Sequence, residues 1–310
     1  MAPSAISPIV KVVEGDNGQS FKDTTQAKSD VEYKSGDPAR AFTPDEATSP
    51  PKFSDPYEER AYLKHRLALA FRVFAAHGFS ESVAGHITLR DPVDPSSFWV
   101  NPFGLHFSLV TDDDLIRVDH DGNVVDGGKN RRLNNAAYAI HAEIHKARPD
   151  VNCACHAHST YGRAICATGR EKLDMLTQDF CMFYDDHVLY PNFAGLVLAN
   201  EEGKRIAACL GKKKAALLGN HGLLTAGATI EAAVNYFVSL ERLCQIQLVA
   251  DASSAGTGKP LVTIGDEEAR VTWKALGSDA AGYFQGLPLF QIAEREFGER
   301  TFLGRGVEPL

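Results

Sequence analysis

The stretch Cys153-Ala-Cys-His-Ala-His158 constrains this chain more than any other. Side chains alternate across a strand, so His156 and His158 fall on one face and Cys153, Cys155 and Ala157 on the other. An apolar run with that alternation reads as a strand packed against a core on one side and carrying two imidazoles on the other. A third histidine, His221, interrupts the hydrophobic run Leu217-Leu-Gly-Asn-His-Gly-Leu-Leu224 between two glycines. Three imidazoles with open positions left over are the donor set of a catalytic rather than a structural zinc site.

Composition narrows what such a site serves. A chain of 310 residues with 44% hydrophobic content is long enough to bury a full core. The net charge of -8 comes from interspersed acids, with no basic stripe interleaved with aromatics, so nucleic acid is not an expected partner. No run of about 18 apolar residues is present to span a bilayer. The N-terminus lacks a charged region followed by a long apolar core, so no signal peptide is expected. The six cysteines include no Cys-x-x-Cys pair, which points to reduced thiols and a cytoplasmic location.

Residues 1–52 are rich in Ser, Thr, Asp, Lys, Gly and Pro, a composition that does not offset its ordering entropy, so a disordered tail is expected there. Asp55-Pro56 reads as an N-cap followed by proline at the first helical position, leading a helix from Tyr57 to His77 that Gly78 ends. Strand-like runs follow at 85–90, 98–100 and 115–118, then a turn at 120–123 and a helix from Leu133 to Lys146 closed by Arg148-Pro149-Asp150. The His-x-His strand, a helix at 161–168, a strand at 188–189, a helix at 201–210, a buried strand at 215–218 and a long helix at 229–250 complete the pattern. Strands alternating with helices argue for an α/β sandwich around one sheet. Residues 53–252 are read as one domain. Residues 253–310 are read as a flexible linker and an extension that packs on the core or on a neighbouring subunit, with an amphipathic segment at 291–297.

The order of these pieces, from the Arg-Pro-Asp helix end through His-x-His to Gly219-Asn-His-Gly-Leu-Leu224 and a helix opening Thr229-Ile-Glu-Ala-Ala, resembles the class II aldolase/adducin family over roughly residues 57–251. The resemblance implies a three-layer α/β/α sandwich around a mainly antiparallel sheet and a fourfold homo-tetramer. It also implies a divalent metal, usually Zn2+, held by His156, His158 and His221. The departures are specific. Ala137 stands where the aldolases keep a catalytic Glu, and Asn135 and Ala136 stand for two phosphate-holding serines. Gly85-His86 replaces their Gly-Asn turn, and Asn101-Pro-Phe-Gly104 replaces their phosphate loop. A non-phosphorylated carbonyl or hydroxy acid is therefore the expected small-molecule substrate. Aldol-type cleavage or decarboxylation is the expected reaction, with a non-haem iron oxygenase using Fe2+, or an adducin-like interaction module, as the alternatives.

A metal polarises a carbonyl without a neighbouring carboxylate, but proton transfer still needs a partner. His86 is one candidate. His141, one helical turn after Ala137, is a substitute base. Asp186 and His187, within Gln178-Asp-Phe-Cys-Met-Phe-Tyr-Asp-Asp-His187, are candidates for an acid supplied from an adjacent subunit. His141-Ala-Glu-Ile-His145 has its Glu at the wrong offset for a metalloprotease helix. Asp112-Asp-Asp114 is read as a helix cap or a solvated face.

Overall fold

The computed structural model describes residues 49–193, 195, 200–296, 299–302 and 305–309. The expected N-terminal tail lies almost wholly outside them. Helix α1 (Pro56–Ala76) starts where Asp55 accepts a hydrogen bond from the Tyr57 amide at 2.8 Å, with proline in the first turn. It ends at His77, and Gly78 turns the chain away at φ +77°. The meander that follows is β1 (His86–Arg90), β2 (Ser97–Val100), β3 (Ile116–Asp119) and β4 (Val124–Gly127). Between β2 and β3 the three acids form a single 3-10 turn, with Thr111 and Asp114 capping each other's ends.

Helix α2 (Asn135–Ala147) leads back to β5 (Cys153–Ala157), and α3 (Thr160–Cys166) follows directly. The chain continues through β6 (His187–Tyr190), α4 (Asn200–Leu210), β7 (Ala215–Leu218), β8 (Gly222–Gly227) and α5 (Ile230–Thr257). Strands β1 to β8 make one sheet in the order β4-β3-β2-β1-β5-β8-β7-β6, antiparallel throughout except for the parallel pair β6 and β7. Two helical layers cover it. On one face Ile87, Leu89, Cys153, Cys155, Leu217 and Leu223 pack on α1 and α5, where Phe71, Phe74 and Phe237 meet. Each fully buried phenylalanine of this kind stabilises the fold by roughly 2–3 kcal/mol. On the other face Ala154, Ala216 and Leu224 pack on Ile140 and Ile144 of α2 and Ile206 of α4. This is the three-layer α/β/α sandwich with a mainly antiparallel sheet.

Helix α5 runs further than the sequence suggested. Ser253 to Thr257 are helical and Gly258 closes the helix in the left-handed conformation, so that stretch is a helix end and not a flexible linker. Beyond it α6 (Asp266–Leu276) and α7 (Asp279–Glu296) are followed by a hairpin of β9 (Glu299–Phe302) and β10 (Arg305–Pro309). Helix α7 packs on the core through Phe290 and Ala293. Its Gly286 lies so close to α5 that a Cβ there would sit 2.4 Å from the Glu231 carbonyl oxygen. Buried Arg66 of α1 joins Glu231 of α5, at 2.8 Å, to Glu294 of α7. No helix among the described residues is long and apolar enough to cross a membrane.

Candidate metal centre

The three histidines picked out by sequence spacing converge at one end of the sheet. His156 is the penultimate residue of β5, His158 follows that strand, and His221 sits in the turn between β7 and β8. One potential ligand atom from each lies within 4.8 Å of the others, and the ring centroids are 4.7 to 5.2 Å apart. Among the described residues no carboxylate or thiolate joins the group. The local backbone explains the convergence. Asn220 takes a left-handed φ of +54°, which asparagine tolerates. Gly222 lets β8 pass β5 at a distance where a Cβ would sit 2.7 Å from the Ala157 carbonyl oxygen. Glu241 of α5 fixes the segment after His158, accepting from the Ser159 hydroxyl at 2.5 Å and from the amides of Tyr161 and Gly162 at 2.8 and 2.7 Å.

The donor set suits a divalent cation. His156 Nδ1 donates to the Leu223 carbonyl at 2.8 Å, which leaves Nε2 as the lone pair. Burial pushes the proton affinity of all three imidazoles down, and the neighbouring histidines lower it further at His156 and His221. His221 reaches about 4. The cluster is therefore neutral at pH 7, the state a metal requires of imidazole.

Behind the cluster lies a second layer of histidine. His86 of β1 is paired in register with His156, and the two rings are 5.1 Å apart. It enters after Gly85, which has a φ of +91° and passes so near β5 that a Cβ there would sit 3.1 Å from the His156 carbonyl oxygen, leaving room for little but glycine. His141 of α2 meets His86 edge-on at 4.1 Å. Both are buried, and neither nitrogen of His86 nor Nε2 of His141 has a hydrogen-bond partner. The Oδ1 atom of buried Asn101 is likewise unpartnered and lines the same small pocket as His86, with Phe103 and Tyr138 on its walls. Ala137 lies in α2 one turn before His141; its side chain is outside the described residues.

Asp186 and His187 do not join this group within the chain. His187 opposes Ala215 at the start of β7, whereas His221 lies beyond Leu218 at its other end. Both ring nitrogens of His187 are used, Nδ1 donating to the Phe183 carbonyl at 2.8 Å and Nε2 accepting from the Leu173 amide at 2.9 Å. Asp186 accepts from Lys214 Nζ and from Trp273 Nε1, each at 2.9 Å. These are structural contacts that tie α6 to the sheet. Two residues that sequence reasoning passed over support the site: Glu241, whose signal was a carboxylate on the buried face of a long helix, and Thr88, two residues after His86 and so on the same strand face.

Comparison with known proteins agrees with this geometry. The model of the class II aldolase and adducin N-terminal domain matches residues 65–248. "Decarboxylase NovR" of Streptomyces niveus is 48% identical over 245 residues, 79% of this chain and 88% of that protein. The "4-hydroxy-3-prenylphenylpyruvate oxygenase/4-hydroxy-3-prenylbenzoate synthase" of Streptomyces roseochromogenus subsp. oscitans is also 48% identical, over 78% of this chain and 85% of its own. Among solved structures, the L-fuculose 1-phosphate aldolase from Glaciozyma antarctica PI12 superposes with a TM-score of 0.74 at 47% identity, covering 81% of this chain and 96% of that one. By this match and these relatives, the chain belongs to the class II aldolase/adducin family.

Proposed function

We propose that this protein is a divalent-metal-dependent enzyme that breaks a carbon-carbon bond in a non-phosphorylated 2-oxo or 2-hydroxy acid, by decarboxylation or aldol-type cleavage. The observation that carries the reading is the neutral cluster of His156, His158 and His221, backed by His86 and His141 and joined by no carboxylate among the described residues. When bound, a divalent ion supplies Lewis acidity toward a carbonyl and an adjacent carboxylate, worth several kcal/mol. The chain's own residues supply the rest. Leu223 holds His156 in the ligating tautomer, and Glu241 holds the backbone beside His158. His86 and His141 are the buried groups with nitrogens left to exchange a proton with substrate. Phe103 and Asn101, where the aldolases have a phosphate loop, favour an uncharged or aromatic part of the substrate.

The name of the decarboxylase from S. niveus supports decarboxylation, and that of the S. roseochromogenus enzyme supports an aryl-substituted 2-oxo acid as the substrate class. The same second name favours one further reading, oxidative cleavage by a non-haem iron oxygenase. Zinc is the first metal to test and ferrous iron the second. A homo-tetramer and a cytoplasmic location complete the proposal, the latter supported by six unpaired cysteines. Metal analysis of anaerobically purified protein tests the core of it: about one metal per chain, lost in His156→Ala, is expected, and metal-free protein would overturn it. Carbon dioxide release from an arylpyruvate with and without oxygen then separates the two readings.

A further inference from the structure

Thr88 of β1 makes two short hydrogen bonds to one helix, to His141 Nδ1 at 2.7 Å and to His145 Nε2 at 2.8 Å. A hydroxyl has one proton and two lone pairs, so it donates to at most one imidazole and accepts from the other. The far side of His145 decides which. Its Nδ1 has two neighbours, the Val151 carbonyl at 3.4 Å and Arg90 Nη2 at 3.5 Å. That Arg90 nitrogen is closer to three carbonyl oxygens, of His145, Val151 and Arg148, at 2.7, 3.0 and 3.1 Å. Its two hydrogens go to those carbonyls, and His145 Nδ1 is left to carry its own proton toward Val151. His145 Nε2 is then bare and accepts the Thr88 proton. The Thr88 oxygen in turn accepts from His141 Nδ1–H. His141 Nε2, buried and without a partner, is consequently a lone pair.

We propose that Thr88 and His145 are positioning residues that lock His141 in its Nδ1–H tautomer, so that a bare Nε2 acceptor is presented beside His86 for an O–H donor of the substrate. The inference rests on the metal-dependent cleavage proposed above for the use of that acceptor, but not for its existence. Burial holds His141 neutral, which keeps the lone pair available. No carboxylate is needed to orient this imidazole, in contrast to the usual carboxylate-histidine arrangement. Loss of the aldolase Glu at Ala137 is thereby matched by a neutral acceptor one helical turn along.

The test reads the tautomer directly. In metal-free protein carrying 15N-labelled histidine, long-range 1H–15N spectra are expected to show His141 and His145 both protonated at Nδ1 and bare at Nε2. Thr88→Val removes both bonds and keeps the shape; it is expected to give mixed tautomers at His141 and to lower kcat by on the order of 10- to 100-fold at unchanged metal content. Thr88→Ser should restore both. Wild-type protein with the proton on His141 Nε2, or Thr88→Val with unaltered His141 signals, overturns the proposal. The spectrum needs neither metal nor substrate, so a failed activity assay with intact tautomers counts against the cleavage reading alone. Should Thr88→Val not fold, the wild-type and Thr88→Ser spectra still decide.

Discussion

His156 and His187 are both buried histidines on strands of the same sheet, at opposite ends of it, and they differ in the fate of their second nitrogen. His156 gives one nitrogen to the Leu223 carbonyl and keeps the other for a ligand beside His158 and His221. His187 spends both on backbone groups of its own loop. Around His156 lie more imidazoles, two of them with unpartnered nitrogens. Around His187 lie Asp186, Lys214 and Trp273, each satisfied by the others. A buried histidine is therefore a candidate for chemistry according to what remains after its structural bonds are counted, not according to residue type.

Substitutions at the two ends should separate cleanly. The largest effect is expected for His156→Ala, which should abolish metal binding and lower kcat/KM by about a thousandfold or more, roughly 4 kcal/mol of transition-state stabilisation. Metal analysis and steady-state kinetics check it. At the other end, Lys214→Met removes the cation from a mostly buried pair with Asp186 and should cost about 3 kcal/mol of stability in denaturant unfolding, with metal content unchanged. His187→Gln should cost about 1–3 kcal/mol for the backbone groups it leaves unsatisfied, again without metal loss. Turnover that collapses in His187→Gln or Asp186→Asn at full metal occupancy would break the comparison and bring the adjacent-subunit role back.

The smallest effect expected is on pH. Burial lowers the proton affinity of His221 to about 4 and of His145 to about 3, both from an ordinary 6.5. Between those values and 6.5 the unfolded chain binds more protons than the folded one, so stability falls as pH drops through that window. The slope of metal-free protein should steepen by up to about 1.4 kcal/mol per pH unit for each such histidine. Urea unfolding at pH 7, 6 and 5 measures it; a flat profile would mean that these imidazoles are solvated in the absence of metal.

Much of this was legible from residues alone. The alternation around His156 and His158 fixed the strand faces, and the break in the hydrophobic run marked His221, because both are local features of the residue pattern. The parallel pairing of β6 with β7 was not legible, and neither was the distance of His187 from the triad, since both depend on which strand closes the sheet edge. Thr88 was missed because a threonine in a strand has no signature until the helix that brings His141 and His145 to it is in place. The helical end of α5 through Thr257 was missed because serine, glycine and threonine have weak helix propensity, and the helix there is an extension of one already anchored in the core.

Arg66 ties the part of this chain that matches the family model to a helix beyond it. The family match spans 65–248, beginning inside α1 and ending inside α5. Yet the guanidinium at residue 66 is shared between Glu231 inside that span and Glu294 outside it, and Phe290, one turn before Glu294, completes the aromatic packing. A fragment trimmed to residues 65–248 would keep every imidazole of the metal centre and lose α7 with Phe290 and Glu294. Helix α7 thus belongs to the packed core of this chain, although the family model stops before it.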